Sequence, residues 1–407
     1  MANNFQSISS GLGELKNYYQ GPIIDQFNED LPVKRAAEKV KQGWNGAQVN
    51  RPLRVRRNTG IGATSDGGTL PAVGRQTTVQ AVIQAKYNYL RFGVTGPMIK
   101  ASASDAGSFV RAASYELEMG YQDLANDCNR QYNYDGSGTI ATVSANAVAS
   151  TTITITGRTS EEIAAKFLDV GTVIDIYTTG GSAVATGIEI TAIANPNSAT
   201  ATLTLNSAVT VSATDLVVRS GAYNQEIEGL FYSINGGTSS IYSVNRATYP
   251  QYQSNLVDNG GGQLTLDDMQ QAWNEGLRRG GVRDATYDAI YTDYDSLRYY
   301  QKLLSPDKRY TNTVEGDGGF AKKGKFYLDF NGVPVVPDKD MFEAMFFVPH
   351  KALKDYVLSE MEFADETGTM YIAQVSADQL EARIRYFSNL FNEKPSACAI
   401  LDNYISP

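Results

Sequence analysis

The sequence predicts an α+β protein in which a long β-hairpin and a long helix precede a small all-β insertion and a mixed body. Residues from Val79 to Tyr89 alternate apolar and polar side chains with a strict period of two, which is typical of a β-strand. Apolar residues between Val110 and Cys128 recur at steps of three and four, as on one face of a helix. Residues 139–221 consist of short alternating runs rich in Thr, Ala, Ile and Val, so we expect a small sandwich or barrel there.

Composition places the chain among globular proteins with an acidic surface. The chain has 407 residues, 42% of them hydrophobic, and 35 basic against 44 acidic residues give a net charge of −9. This length exceeds one ordinary core, so about two or three domains are expected. The N-terminus lacks a secretory signal pattern, and no stretch approaches the ~20 apolar residues of a membrane span. Cys128 and Cys398 are expected as reduced, buried thiols in a cytoplasm-like compartment.

The first long element, residues 51–94, is predicted as an extended β-hairpin with a glycine-rich tip at Asn58–Gly74. Its second strand alone would reach about 45–50 Å at about 3.3 Å per residue. A two-stranded ribbon of this length is only marginally stable in water, and the neighbouring sequence does not obviously cover its apolar edge. We therefore expect another copy of the protein to cover it. The predicted contact residues of this edge are Val79, Ala81, Ile83, Tyr87 and Tyr89.

Two basic clusters are candidate sites for an acidic partner. The first is interpreted as a contact with acidic surface on a neighbouring subunit and consists of Arg51, Arg54, Arg56 and Arg57. The second is a candidate DNA-facing part of the N-terminal arm and consists of Lys34, Arg35, Lys39 and Lys41. For both clusters, subunit contact and non-specific phosphate contact remain open alternatives. Neither is accompanied by a base-reading motif.

Enzymatic chemistry is not expected, and no cofactor or metal ion is assigned. The chain has one histidine, His350, which disfavours most metal sites and His-based catalysis; we expect it to cap a short helix, Lys351–Leu358, or to be exposed. The segment Gly319–Lys325 resembles a phosphate-binding loop. However, Phe326 stands where Mg²⁺ coordination needs Ser or Thr, and a strand follows where a helix is required.

Paired carboxylates have an ordinary interpretation as caps of helices and turns. Three pairs could hold a divalent ion but lie where Asp commonly accepts backbone N–H groups, namely Asp267/Asp268, Asp293/Asp295 and Asp338/Asp340. An enzyme acting on carbohydrates would instead need two catalytic carboxylates in one cleft. The pairs that such an alternative would use are Glu226/Glu228 and Glu360/Glu362.

The order of elements resembles the major capsid protein of tailed double-stranded DNA phages. In that family an N-terminal arm precedes an extended loop, a spine helix, a peripheral domain and an axial domain. Four stretches of this sequence look like segments common in such proteins: Phe330–Pro337, Ala344–Val348, Ala382–Tyr386 and Lys394–Ile400. The resemblance covers nearly the whole chain apart from 139–221, and no single motif is diagnostic.

The resemblance implies a division of the chain into seven parts. These are an arm at 1–50, the extended loop at 51–94, the spine helix and start of the peripheral domain at 95–138, an inserted all-β domain at 139–221, an axial domain at 222–343, a peripheral domain at 344–393 and a return to the axial domain at 394–407. No leader is expected ahead of the arm. No covalent crosslink between subunits is predicted, because no Lys–Asn pair with a catalytic carboxylate can be placed.

The function implied by the resemblance is that of a structural subunit. Copies would form hexamers and pentamers that enclose double-stranded DNA in an icosahedral or prolate head, assembled in the host cytoplasm and located in the virion. Expected partners are other copies and packaged DNA by non-specific contact, with portal, scaffolding or decoration proteins as further candidates and no membrane. The alternative is a surface or tail-associated adhesin with 139–221 as its binding module.

Overall fold

The computed structural model of the chain describes most of the predicted elements. For residues 94–95, 106–118, 371–373 and 379, only the course of the backbone is described. The described residues are 32–95, 106–158, 162–280, 286–304, 328–364, 371–373 and 378–407. Residues 1–31 of the predicted arm and the Gly319–Lys325 loop lie outside these ranges.

The N-terminal described part contains a short helix α1 (Pro32–Ala36), a strand β1 (Glu38–Val40) and then the predicted hairpin. The hairpin is formed by β2 (Gln48–Arg56) and β3 (Thr77–Gln84), which pair antiparallel. Its apolar face is buried against the chain's own residues, since Val49, Ala81 and Ile83 are 2%, 0% and 0% exposed. They belong to one core cluster with Tyr242, Tyr252, Tyr356 and Phe391. The expectation that another copy must cover this part of the ribbon is therefore wrong.

The predicted long second strand is two strands. β3 ends at Gln84, and β4 (Lys86–Thr95) pairs along its whole length with a late strand, β18 (Gln379–Asn392). At the break, Asn389 donates a hydrogen bond from Nδ2 to the carbonyl oxygen of Gln84 at 2.8 Å. The period-two pattern runs through the break because both strands alternate, so the sequence cannot show the change of partner. Tyr87 and Tyr89 consequently belong to a sheet of the body and not to the hairpin.

The predicted spine helix is present as α2 (Ala106–Asn133), with 28 residues. Its described apolar face is buried, with Tyr121, Leu124, Cys128 and Tyr132 at most 7% exposed. Gly136 follows at φ 75°, a left-handed conformation in which glycine ends the helical course without strain. At about 1.5 Å per residue the helix spans about 42 Å.

Residues of the predicted insertion form a closed six-stranded barrel, with strand order β10-β5-β6-β9-β8-β7. Its strands are β5 (Thr139–Val143), β6 (Ala147–Thr156), β7 (Val173–Tyr177), β8 (Ala183–Ala194), β9 (Thr200–Val211) and β10 (Leu216–Arg219). Its core consists of Ile, Val, Leu and Ala side chains. The chain leaves and rejoins the body at one place, because the amide of Asn224 donates to the carbonyl of Ser137 at 2.9 Å.

The rest of the body contains three helices and nine described strands. These are α3 (Leu230–Ser233), β11 (Asn255–Gln263), α4 (Leu266–Gly280), β12 (Ala289–Thr292), α5 (Tyr294–Leu304), β13 (Leu328–Phe330), β14 (Val333–Pro337), β15 (Ala344–Val348), β16 (Leu353–Phe363), β17 (Tyr371–Ala373), β18 and β19 (Ala399–Ile405). The predicted turn at Asn331-Gly332 joins β13 and β14, with φ of 51° and 79° at its two residues.

The strands of the body form two sheets. One has the order β1-β16-β18-β17, with β4 also paired to β18, and the other has the order β11-β19-β15-β12-β14-β13. The second sheet includes β15, which begins at residue 344, the predicted start of the peripheral part. The predicted helix Lys351–Leu358 is wrong: a 3₁₀ turn, His350–Ala352, leads directly into β16. A shared core joins α2 to both sheets.

The contact between α2 and α3 depends on a glycine. A Cβ atom placed at Gly229 would lie 2.3 Å from the carbonyl oxygen of Gln131 and 2.4 Å from that of Tyr132. Gly229→Ala is therefore expected to destabilise the subunit by about 1–3 kcal/mol through overpacking. Urea unfolding of the soluble subunit measures this, with Gly180→Ala as the control, because the nearest atom there is 3.7 Å away. Equal midpoints for both variants would contradict the prediction.

Candidate assembly surface

The distal end of the hairpin exposes apolar side chains. Beyond the paired strands, the tip Asn58–Gly74 leaves Ile61, Leu70 and Val73 at 84%, 77% and 103% exposure. The tip is held to itself by a hydrogen bond from the amide of Gly60 to Asn58 Oδ1 at 2.8 Å. Large apolar side chains concentrated on one projecting segment are a feature of interaction surfaces. The tip therefore has an exposed apolar surface, whereas the apolar face at the base of the hairpin is buried.

The predicted contact residues fall into three groups. Ala81 and Ile83 are core residues of the chain itself, so they are not contact residues. Val79 is half-buried on the same cluster. Tyr87 and Tyr89 are 46% and 58% exposed and pack edge-to-face on Phe387, with ring centroids at 4.9 and 5.3 Å.

The arginines of the first basic cluster line one wall of a groove of about 1220 Å³. Arg51 is paired with Glu393 at 3.0 Å. The groove brings together residues that are far apart in sequence, and its cationic lining consists of Arg51, Arg54, Arg56, Arg57, Arg278, Arg279, Lys351 and Lys394. Glu393 is the one carboxylate of the lining. The second wall was not predicted, because α4 and the segment after β18 meet the hairpin only in the folded chain.

The second basic cluster is largely engaged by the chain itself. The Lys34 ammonium lies 4.1 Å from the centroid of the Tyr386 ring, and burial lowers its pKa to about 8. Lys39 and Lys41 both pair with Glu360 on β16. Lys34 is therefore partly buried and packed on the chain's own Tyr386, whereas Arg35 is exposed. The pairing also places Glu360, a residue of the enzyme alternative, in a structural ion pair.

The Glu360 pairs predict a small, pH-dependent contribution to stability. Hydrogen bonds from Lys39 and then Lys41 lower the pKa of Glu360 to about 2 from 4.5. A lowered carboxylate pKa stabilises the fold above the unfolded value, and this contribution disappears as pH falls from about 4.5 through about 2. Because Glu360 is 40% exposed, Glu360→Gln is expected to cost at most about 1 kcal/mol at pH 7. Urea unfolding of the wild type and of Glu360→Gln, at pH 7 and at pH 3, measures the difference between their free energies of unfolding. We expect this difference to be smaller at pH 3, and an equal difference at both pH values would contradict the prediction.

A buried ionic network joins α2 to the start of the body. The Arg130 guanidinium, 1% exposed, binds Glu226 at 2.5 Å and Asp127 at 3.1 Å, and Arg219 of β10 binds Asp127 at 2.8 Å. Burial raises the pKa of Glu226, whereas at Asp127 the effect of burial is outweighed by Arg130 and Arg219, which lower its pKa. The network thus ties the barrel to the helix from which it departs.

The remaining carboxylates of the enzyme alternative are also engaged. Glu228 lies 3.6 Å from the Lys86 ammonium and accepts a hydrogen bond from Asn389 at 2.9 Å. Glu362 is paired with Arg385 at 3.0 Å. All four candidate catalytic carboxylates therefore hold elements of the fold together, which does not favour a hydrolytic site.

The predicted capping roles of the three Asp pairs are confirmed. Asp268 and Thr265 form a reciprocal capping box at the start of α4, with bonds of 2.9 and 3.2 Å. Asp293 accepts the amides of Asp295 and Ser296 at 3.1 and 3.0 Å at the start of α5. Asp338 accepts the amide of Asp340 at 2.9 Å, and it also accepts from two side chains of α2, Asn129 at 2.8 Å and Asn133 at 3.0 Å.

Asp340 accepts a hydrogen bond from Asn129 at 2.7 Å, so the third pair also attaches its loop to α2.

His350 Nε2 lies 2.9 Å from the Tyr291 hydroxyl. In the part of the chain that the structure describes, no three His, Cys, Asp or Glu side chains come together as metal ligands. Cys128 and Cys398 are free, buried thiols, as predicted, and burial raises the pKa of both.

None of the helices within the described ranges combines the length and the apolar character that a membrane crossing requires.

An extended hairpin, a long spine helix, a peripheral sheet and an axial sheet define the fold of the tailed-phage capsid proteins. The solved capsid asymmetric unit of cyanophage A-1(L) has this fold and matches 99% of this chain and 95% of its own chain, with a TM-score of 0.56 and 13% identity. The fold predicted from the resemblance is confirmed by this match.

Two further solved structures match at lower similarity. The capsid of a native GTA particle covers 92% of this chain and 90% of its own, with 8% identity and a TM-score of 0.47. The capsid of Myoviridae phage XM1 covers 91% and 90%, with 7% identity and a TM-score of 0.45. No model of a protein family matches the sequence, and no curated protein sequence matches it.

Proposed function

We propose that the chain is a structural, non-enzymatic subunit that self-assembles into hexamers and pentamers of an icosahedral or prolate phage head around double-stranded DNA. The observation that carries this proposal is the match over 99% of the chain to a capsid subunit of a cyanophage. The uncovered apolar tip of the hairpin supports it, because a projecting apolar segment gains stability when a neighbouring subunit buries it.

The proposal includes the division of labour among the parts of the chain. The sheet that contains β11 and β19 would be the axial part, and the sheet that contains β16 and β18 the peripheral part. Arg54, Arg56 and Arg57 would contact a neighbouring subunit. The other partners would be packaged DNA through non-specific contacts, together with portal, scaffolding or decoration proteins. The protein would be assembled in the host cytoplasm and located in the virion.

Electron microscopy of the expressed protein tests the proposal. We expect closed particles of uniform diameter, and sedimentation should show a large assembly in equilibrium with small oligomers. A protein that remains monomeric at high concentration would contradict the proposal. The adhesin alternative accounts for the barrel alone, and it would instead be supported by cell-surface binding of the monomer that is lost when 139–221 is removed.

A further inference from the structure

The basic groove carries charge that the described chain does not neutralise. Arg54, Arg56, Arg57 and Lys351 are exposed and form no ion pair with any described residue. By contrast, Arg278 is paired with Glu275 at 2.6 Å. Arg54, Arg56 and Arg57 lie within four consecutive residues at the distal end of the paired strands, and all three are exposed. Like charges held this close repel one another, and an anionic partner would relieve this repulsion.

The lining of the groove is not only cationic. Pro52, Leu53 and Pro250 contribute accessible apolar surface among the cationic side chains. Tyr252 and Phe391 are at most 5% exposed and packed into the core, so they offer no free ring on which a base could stack. An acidic polypeptide segment with an apolar side chain fits this lining better than a sugar–phosphate backbone does.

The chain contains a segment with this chemistry. Residues 258–268 carry three carboxylates and no Lys or Arg. The segment runs from the edge strand β11 of the axial sheet into the first turn of α4. Asp258 is exposed, and Leu266 is 41% exposed next to Asp267 and Asp268.

A single copy does not bring the two surfaces together. Arg278 and Arg279, on the groove, lie at the C-terminal end of α4, whereas Asp267 and Asp268 lie at its N-terminal end. The helix has 15 residues, which separates its ends by about 21 Å at about 1.5 Å per residue. A rigid helix therefore holds Asp267 and Asp268 away from the groove of their own copy.

We propose that the basic groove binds the acidic segment 258–268 of a second copy. The contact joins two different surfaces, and a head-to-tail contact of this type generates a ring when its rotation closes. It therefore supplies the interface between neighbours within a hexamer or pentamer. This inference rests on the proposed assembly function and adds the partner segment to it.

Charge exchange between the two surfaces tests the contact. The groove variant carries Arg54→Glu and Arg57→Glu, and the segment variant carries Asp258→Lys and Asp267→Lys. Each variant alone is expected to raise the protein concentration needed for assembly by about tenfold or more, as the loss of a coupled charge contact does. The variant with all four changes is expected to recover assembly to within about threefold of the wild type, because the charges are again complementary.

The control variant also replaces two cationic residues by Glu, but on a surface outside the groove. Arg298→Glu with Lys302→Glu alters two exposed cations of α5 outside the groove and is expected to assemble as the wild type does. Circular dichroism and thermal unfolding of the soluble subunits confirm that each variant is folded. Light scattering and electron microscopy record assembly.

Each outcome decides between the proposals. If the wild type forms no particles, the proposed assembly function fails. If the wild type assembles and the groove variant assembles equally well, the groove contact alone is overturned. If both double variants fail and the fourfold variant is not restored, the segment 258–268 is not the partner. If the groove variant assembles normally but binds a DNA duplex more weakly than the wild type, the groove is a nucleic-acid surface and the inference is overturned.

Discussion

Deletion of Asn58–Gly74 is expected to leave soluble, folded subunits that fail to form stable shells. The paired strands β2 and β3 end at Arg56 and Thr77, so a short turn can replace the tip without breaking the described pairing. The base of the hairpin stays buried against the chain's own core. The deletion therefore removes the uncovered apolar surface and leaves the fold intact. Electron microscopy and sedimentation measure the loss of particles.

A matched variant separates the apolar surface of the tip from its length. Ile61→Ser, Leu70→Ser and Val73→Ser keep every residue of the tip and remove its three most exposed large apolar side chains. Burying each of them is worth about 1.5–3 kcal/mol, so their joint loss is expected to weaken assembly nearly as much as the deletion. Particles as abundant and as resistant to dilution as those of the wild type would show that the tip makes no essential contact.

Arg130→Met is expected to lower the free energy of unfolding of the subunit by about 3–5 kcal/mol, because it leaves buried carboxylates without their cation. Glu226 is 5% exposed and has Arg130 as its one ion-pair partner among the described residues. Asp127 keeps Arg219 at 2.8 Å, so most of the cost falls on Glu226. Urea unfolding of the soluble subunit at pH 7 measures the loss.

The pH dependence of this loss distinguishes charge from packing. Without Arg130, burial raises the pKa of Glu226 further above its unfolded value. A carboxyl group with a raised pKa favours the folded state at low pH, and this advantage disappears as pH rises through the folded pKa. The deficit of Arg130→Met is therefore expected to shrink as pH falls from 7 toward 4.

The exposed pair Arg298–Asp295, at 3.0 Å, supplies the control for this experiment. Arg298→Met is expected to change the free energy of unfolding by less than about 1 kcal/mol, since water screens the pair. A constant deficit of Arg130→Met across this pH range would indicate that the lost contribution is packing of the side chain and not its charge.

The elements of the fold were mostly predictable because they depend on local patterns. Apolar spacing identified α2 and the strands of the barrel, and Asn331-Gly332 identified the turn between β13 and β14. The helix predicted at Lys351–Leu358 failed because its apolar residues belong to a buried strand, β16, for which helical and strand patterns are similar. Neighbouring strands, not the local sequence, decided that segment.

The site was less predictable, because it combines residues that are distant in the chain. The arginines of β2 were recognised as a cluster, but the second wall of the groove comes from α4, from the segment after β18 and from Lys351 in the 3₁₀ turn His350–Ala352. The pairing of Glu226 with Arg130 spans 96 positions and has no sequence signature. Glu226 was therefore interpreted as a candidate catalytic carboxylate, whereas it holds the barrel junction.

The sequence by itself determined most of the strands and helices, since side-chain periodicity and turn residues act over a few neighbours. Only the tertiary structure decided what covers each apolar face. The alternating run from Val79 to Tyr89 reads as one strand, yet its first part is buried under Tyr242 and Phe391 and its second part pairs with β18. Alternation specifies that one face of the strand will be buried but not which residues will cover it. The hydrophobic effect depends on the apolar area that is buried and not on direction or on the identity of the partner.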